Sequence, residues 1–200
     1  MSGATQNTLL FEKFCSLARD LKTRSEIHFE EVPAPQRLAP YAVAFSVDVS
    51  GAYLSGSGKT QSEDESDVAT GRFVMLHDPE GQEAWEGEFR AVTFVRSAIE
   101  DDLQSDPLLT DVAWSWVSES LESADASFAA TSGTVTRVSS ASYGQLSEKD
   151  QSSEIEIRAS WTPTHAGSLI EHIHGWIRLI ETVSGLTPIA EGVSSLKSRR

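Results

Sequence analysis

The chain reads as an α+β protein, an antiparallel sheet of about six strands with three helices, and three observations predict it. Three segments, Glu26 to Val32, Tyr41 to Val49 and Glu154 to Trp161, alternate apolar and polar residues with the period of two that a half-buried strand requires, and three more read as strands from flanking turn residues or Thr and Val content. Three others repeat apolar residues at helical spacing. The strands fall into neighbours joined by turn residues or a polar stretch, which favours hairpins over parallel crossovers. The expected order is helix, four strands, helix, two strands, helix, within a single domain spanning 1–200.

After a polar start, Asn7 or Thr8 can cap a first helix running to about Thr23, with Leu10, Phe14, Leu17 and Leu21 on one face and Ala18 alongside. Glu26 to Val32 alternates until Pro33-Ala34-Pro35 stops it, and proline beside a strand points to a sheet edge. Tyr41, Val43, Phe45, Val47 and Val49 alternate with Ala42, Ala44, Ser46 and Asp48, the clearest strand in the chain. Arg72 to His77 and Glu88 to Val95 flank Asp78-Pro79-Glu80-Gly81, whose proline and glycine suit a tight turn and predict a hairpin.

Asp106-Pro107 offers a cap with proline at the first position of helix two, which carries the stripe Leu109, Val112, Ala113, Trp116, Val117 and Ser120 and ends near Ser123. Phe128 to Val138, rich in Thr and Val around Gly133, and Glu154 to Trp161 make a second hairpin with a long polar connection. Helix three opens after Pro163, with Ser168 and Glu171 spaced as a capping box, and closes at Gly185. Its stripe is Leu169, Ile173, Trp176, Ile177, Ile180 and Val183. Glu88-Phe89-Arg90-Ala91 before helix two is echoed by Glu156-Ile157-Arg158-Ala159 before helix three, which predicts hairpin-plus-helix units related by a pseudo-twofold.

Residues 1–7 read as a disordered N-terminus, 51–69 as a mobile acidic Gly/Ser loop with almost nothing apolar to repay its ordering entropy, and 190–200 as a C-terminal tail. The net charge of −14 withholds the phosphate attraction on which nonspecific nucleic-acid binding rests, and it disfavours anionic membrane. No apolar run is long enough to span a bilayer and MSGATQNT lacks a cationic start followed by an apolar stretch. Cys15, the single cysteine, excludes an internal disulfide and a multi-thiolate zinc site. A cytoplasmic protein is expected.

Several long runs carry a likeness: Pro33-Ala34-Pro35 with Arg37-Leu38-Ala39-Pro40-Tyr41-Ala42, Leu76-His77-Asp78-Pro79 with Gly81-Gln82-Glu83-Ala84-Trp85, Asp106-Pro107-Leu108-Leu109, Gly133 to Val138, and Ile155 to Pro163. In these the chain resembles an actinobacterial domain-of-unknown-function family, number three thousand. The resemblance implies a cytosolic actinobacterial origin and carries no activity with it.

Gly56-Ser57-Gly58-Lys59-Thr60 invites a phosphate-loop reading, but Tyr53 stands where the first glycine belongs and acids replace the apolar helix that should follow. Neither nucleotide nor other cofactor is therefore expected. His77 with Asp78 and Glu83, and Arg90 nearby, are the weak catalytic candidates, a base and its orienting carboxylate. A histidine at a strand end beside a turn is more commonly structural. His165, His172 and His174 diverge around a helix and cannot all grip one ion, so no metal is expected. Cys15 reads as an inert thiol. Hydrolase-elbow, zinc-protease and dinucleotide signatures are absent. Trp116, Trp161 and Trp176 fall on expected inner faces, whereas Trp114 falls on the far side of helix two from Trp116 and, with Trp85, is the interface or pocket candidate. The balance favours a non-enzymatic binding or adaptor module with a protein partner or self-association. The alternative is an enzyme or metal-dependent hydrolase around His77, Asp78 and Glu83.

Overall fold

A computed structural model describes residues 3–50, 67–99, 103, 106–146 and 152–186. The helices are α1 (Gly3–Arg19), α2 (Leu109–Ser123) and α3 (Leu169–Val183), and the strands are β1 (Ile27–Val32), β2 (Tyr41–Ser50), β3 (Asp67–Gln82), β4 (Gly87–Ala98), β5 (Phe128–Ser140) and β6 (Ser152–Pro163). Order and class match the sequence reading. The strands form one antiparallel sheet in the order β1-β2-β3-β4-β6-β5, with β1 and β5 at its edges.

All three helices lie on one face of this sheet. Cross-strand register puts Phe29, Val47, Gly71, Val95 and Ile157 in one row of that face and Phe45, Phe73, Thr93, Ala159 and Gly133 in the next. Against them pack Phe11, Phe14 and Ala18 of α1, Ala113, Val117 and Leu121 of α2, and Leu169, Ile173, Trp176 and Ile180 of α3, all buried. The core is continuous from α1 to α2 because α3 touches both and lies over β3 and β4.

The centre of that layer depends on two missing side chains. A Cβ at Gly71 would come 2.5 Å from Ile180 Cδ1 and 3.1 Å from the Trp176 ring, so glycine lets α3 settle onto β3. A Cβ at Gly175 would stand 2.9 Å from Leu121 Cδ2 and 3.0 Å from its Cα, so a second glycine sets the approach of α2 to α3. Trp176 then meets Phe73 at 5.4 Å and Phe29 at 6.5 Å between ring centroids.

Several local expectations need correction. The Asp78-Pro79-Glu80-Gly81 stretch is not the hairpin turn: pairing runs to His77 opposite Phe89 and resumes at Gln82 opposite Gly87, so these residues form a bulge within β3. The chain reverses later, through a 3-10 turn at Glu83–Trp85 with Glu86 left-handed at φ 57°. Asp78 Oδ1 accepts from the Glu80 amide and Oδ2 from Gln82 Nε2, which stabilises the bulge from within. The Ser168 and Glu171 capping box does not form; the Ser168 hydroxyl donates to the His165 carbonyl instead. Asp106 accepts from the Leu108 amide one turn ahead of α2 rather than capping it. Val112 of the predicted stripe is exposed, and Leu121 takes a core place the stripe left out. On α1, Leu17 is exposed while Phe11 and Cys15 are buried, and residues 3–7 are helical. The C-terminal signal of α3 does work as read: Gly185 has φ 69°, and the Leu186 and Gly185 amides return to the Glu181 and Thr182 carbonyls. Most of the expected acidic loop, including Gly56 to Thr60, and the 190–200 tail lie outside the described residues.

The two hairpins meet through β4 and β6, which are antiparallel neighbours, while the helices that follow each hairpin, α2 and α3, pack on one another. That is the placement a twofold between β4 and β6 requires.

Gly71→Val forces branched bulk into the space held by Ile180 and Trp176. We expect about 1–3 kcal/mol of lost stability, read as a lower urea midpoint with unchanged slope.

Candidate functional site

The sequence-nominated residues are not brought together. His77 follows the helix-facing parity of β3 and is fully buried, stacked on Phe89 at 4.5 Å, Tyr41 at 5.5 Å and Phe11 at 5.6 Å. Its Nδ1 carries a proton because its partner is the Glu88 carbonyl at 3.2 Å, and Nε2 faces Thr8 Oγ1 at 3.1 Å. Asp78 is engaged in its own bulge and Glu83 is exposed in the 3-10 turn. Arg90 emerges on the opposite face of the sheet from His77, since Arg90 pairs with Leu76 and Phe89 pairs with His77. Among the described residues no three His, Cys, Asp or Glu side chains cluster as a metal would require.

Two other buried groups are equally closed. Trp161 Nε1 donates to His172 Nδ1 at 3.1 Å, and both rings are fully buried. Burial pulls His172 down to about 4, because the charged ring has no water there. Cys15 is buried under α1 and its thiol is pushed up to about 11 by desolvation, which removes the thiolate a nucleophile needs.

Trp114 is half-buried and lies across the edge strand: a Cβ at Gly133 would fall 2.7 Å from its ring. Trp116 is also only half-buried and lines a cleft of about 440 Å³ between α2 and α3, together with Arg178 and Glu181. Arg178 is committed there to the Ser123 carbonyl at the end of α2.

The face of the sheet away from the helices is different in kind. Alternation gives it Ala44, Val74, Val92 and Ser160 in one row and Ser46, Arg72, Phe94, Arg158 and Thr134 in the next. At one end, Ala44, Val74 and Leu76 are covered by Ala34, Ala39 and Trp85 from the segment after β1 and the 3-10 turn. Beyond that cover the face opens into a cleft of about 520 Å³ floored by Val74, Val92 and Phe94 and walled by Pro33, Arg72 and Arg158. Val92 is 37% exposed at its centre.

Arg72 Nη2 donates to the Pro33 carbonyl at 2.6 Å and so fixes the proline wall. Arg158 lies 5.1 Å over the Phe94 ring and reaches Glu156 at 2.8 Å, while its side chain stays 54% exposed. Arg96, one row on, is held by both oxygens of Glu154. Arg90 ends the face at the other side, buried, donating to the Ala130 carbonyl and to the hydroxyls of Thr162, Ser132 and Ser160. Burial lowers its pKa, with Glu86 opposing. Four arginines on three adjacent strands thus surround an apolar floor in an acidic chain.

Sequence reasoning put Arg158 on the polar side of its strand, but Arg72, Phe94 and Arg158 become neighbours only once β3, β4 and β6 are aligned. Their shared row depends on the two hairpins lying side by side, which no local pattern states.

Two of these environments are checked directly. His172 is protonated more readily in the unfolded chain, at about 6.5, than in the fold, at about 4. Stability from this group is present above pH 6.5 and falls as pH drops toward 4, by up to about 3 kcal/mol. His172→Phe should show a shallower decline in urea midpoint over that window than the parent. Native Cys15 should alkylate at pH 8 about a hundredfold more slowly than the same thiol in urea, followed by intact-mass spectrometry.

A family model described as "Protein of unknown function (DUF3000)" matches residues 8–194. No curated protein and no solved structure matches the chain. With nearly the whole chain covered, the protein belongs to the DUF3000 family.

Proposed function

We propose that this chain is a non-enzymatic, cytosolic binding module that docks a protein partner on the uncovered face of its sheet. The observation that carries the reading is the one-sided layering. Sheets bury both faces or present a polar outer one, yet here the outer face keeps Val74, Val92 and Phe94 around an open cleft. Exposed apolar surface rimmed by polar residues is the usual mark of an interaction site. The cleft is broad and shallow in character, walled by prolines and arginines rather than by convergent acids and bases, which suits a side chain of a partner more than a reacting substrate.

The catalytic alternative has less support. His77 is sealed between aromatic rings, and Asp78, Glu83 and Arg90 point elsewhere. Trp85, at the rim of the covered end, is placed to contribute to the same surface, whereas Trp114 belongs to the helix side and would serve only a contact at the β5 edge. No helix among the described residues is long and apolar enough to cross a membrane.

A photo-crosslinking amino acid in place of Val92 should trap a discrete protein from the native cytosol, and the same group in place of the exposed Val112 on α2 should not. Val92→Asp should abolish the adduct formed from a probe at Arg158 while leaving the melting temperature within about 3 °C of the parent, because an exposed strand position contributes little to stability. Crosslinking from position 112 alone would place any partner on the helix layer and end this reading.

A further inference from the structure

We infer that the segment bound on this face is acidic, with an apolar anchor flanked by carboxylates that meet Arg72 and Arg158; this rests on the binding-module reading above. The inference comes from the row in which Phe94 stands directly between Arg72 and Arg158 on the neighbouring strands. Adjacent strands are about 4.8 Å apart, so the two arginine backbones lie roughly 10 Å from one another with an aromatic ring between them. An apolar side chain seated on Val92 and Phe94 would carry its neighbours over the two guanidinium groups.

Both cations are available to such a ligand. Among the described residues Arg72 has no carboxylate within ion-pair distance, its bond going to the Pro33 carbonyl. Arg158 pairs with Glu156, whose side chain is only 19% exposed, but the arginine side chain itself stays 54% exposed and so still presents donors to solvent. A planar guanidinium presents paired donors matched to a carboxylate, and contact with an aromatic face pre-organises it.

The charge of the whole chain sharpens the selection. With a net charge of −14 the protein repels an acidic body at long range. Screening cuts that repulsion beyond about 8 Å at physiological salt, so the local arginines decide what binds at contact. A short acidic stretch on an otherwise neutral or basic partner is accepted, and a polyanion is not. Single-stranded nucleic acid fits less well, because stacking platforms use two or three aromatic rings and phosphate tracking needs a basic surround. The cleft is lined by one aromatic ring, that of Phe94, with Glu154 and Glu156 on the same face.

The test selects a displayed library of random short peptides on the full chain and measures the winners by fluorescence polarisation, beside a fluorescent oligo(dT) and oligo(U). The expected peptides carry Asp or Glu on both sides of an aromatic or aliphatic residue. Their affinity should fall about tenfold or more in Arg158→Glu, should fall less in Arg158→Lys, and should weaken steadily with added salt. Arg72→Gln serves as the second variant, with its melting curve recorded because Arg72 also holds the Pro33 wall. Winners that are neutral or basic, lost in Val92→Asp yet indifferent to both arginine changes, overturn the acidic partner and leave the binding face standing. Winners indifferent to Val92→Asp overturn both. Oligonucleotide binding that exceeds peptide binding and is lost in Arg158→Glu, or a dimer by sedimentation that Arg158→Glu dissociates, overturns the acidic peptide in favour of nucleic acid or of a second copy.

Discussion

The fold depends on how closely α3 can lie to what surrounds it. Side chains ordinarily hold a helix off a sheet, and each added methylene must be accommodated by something already close-packed. Here Gly71 in β3 lets Ile180 and Trp176 of α3 down onto the sheet, and Gly175 in α3 lets the backbone of α2 approach. Because α3 also contacts α1, these two positions fix the geometry of the entire helical layer. Trp176, Phe73, Phe29 and Trp161 then fill the centre, and the helices need nothing from the other face of the sheet.

The buried polar groups follow from that density. The two fully buried histidines are bonded differently: His77 is engaged at both ring nitrogens, whereas His172 is engaged at Nδ1 and its Nε2 is buried without a partner. His172 receives the indole proton of Trp161, which ties α3 to β6 and can be kept only while Nδ1 is unprotonated. His77 connects β3 to the Glu88 carbonyl of β4 and to Thr8 of α1. Each ties two elements together, and the His77 contact with Thr8 spans 69 residues of sequence. Their burial argues against catalysis on the same physical ground that explains their presence: no substrate atom can reach a ring stacked against Phe89 and Phe11.

Element type and order were legible because the sheet is half-buried, so alternation in β2, β4 and β6 reports the inner face directly, and because Gly185 supplies an unambiguous helix stop. What escaped was set by tertiary contacts. The end of α2 uses Asp125 at φ 57° where glycine would have been recognised. The Asp78 to Gly81 bulge has the composition of a turn, and only the pairing of Gln82 with Gly87 shows that β3 continues past it. Val112 and Leu121 exchange roles because α2 is covered by β5 and α3 at once, which rotates its buried stripe away from the simplest helical reading. The open cleft on the outer face was invisible for a related reason. A residue's parity is local, but its lateral neighbours are not, and Arg72, Phe94 and Arg158 come from three separate stretches of chain.

The echo between the two hairpins sets two matched arginines on the uncovered face in different surroundings. The same sequence interval relates Arg90 to Arg158 and Phe94 to Thr162. Under the twofold between β4 and β6, Arg158 against Phe94 is therefore the counterpart of Arg90 against Thr162. In one half the arginine faces a phenylalanine, which offers its π face but no acceptor, and the side chain stays 54% exposed. In the other half it faces a threonine and is drawn in, with Ser132, Ser160 and the Ala130 carbonyl taking its remaining terminal protons until only 8% of the residue is exposed. Ala130 itself is left-handed at φ 48°, part of the irregularity that turns its carbonyl toward the arginine. One arginine thus fastens the edge strand β5 to β4 and β6, and its counterpart, paired only with Glu156, keeps much of its side chain in solvent. The chemical difference between the two sites is a ring where the other has a hydroxyl, and that exchange separates a buried structural cation from a largely exposed one.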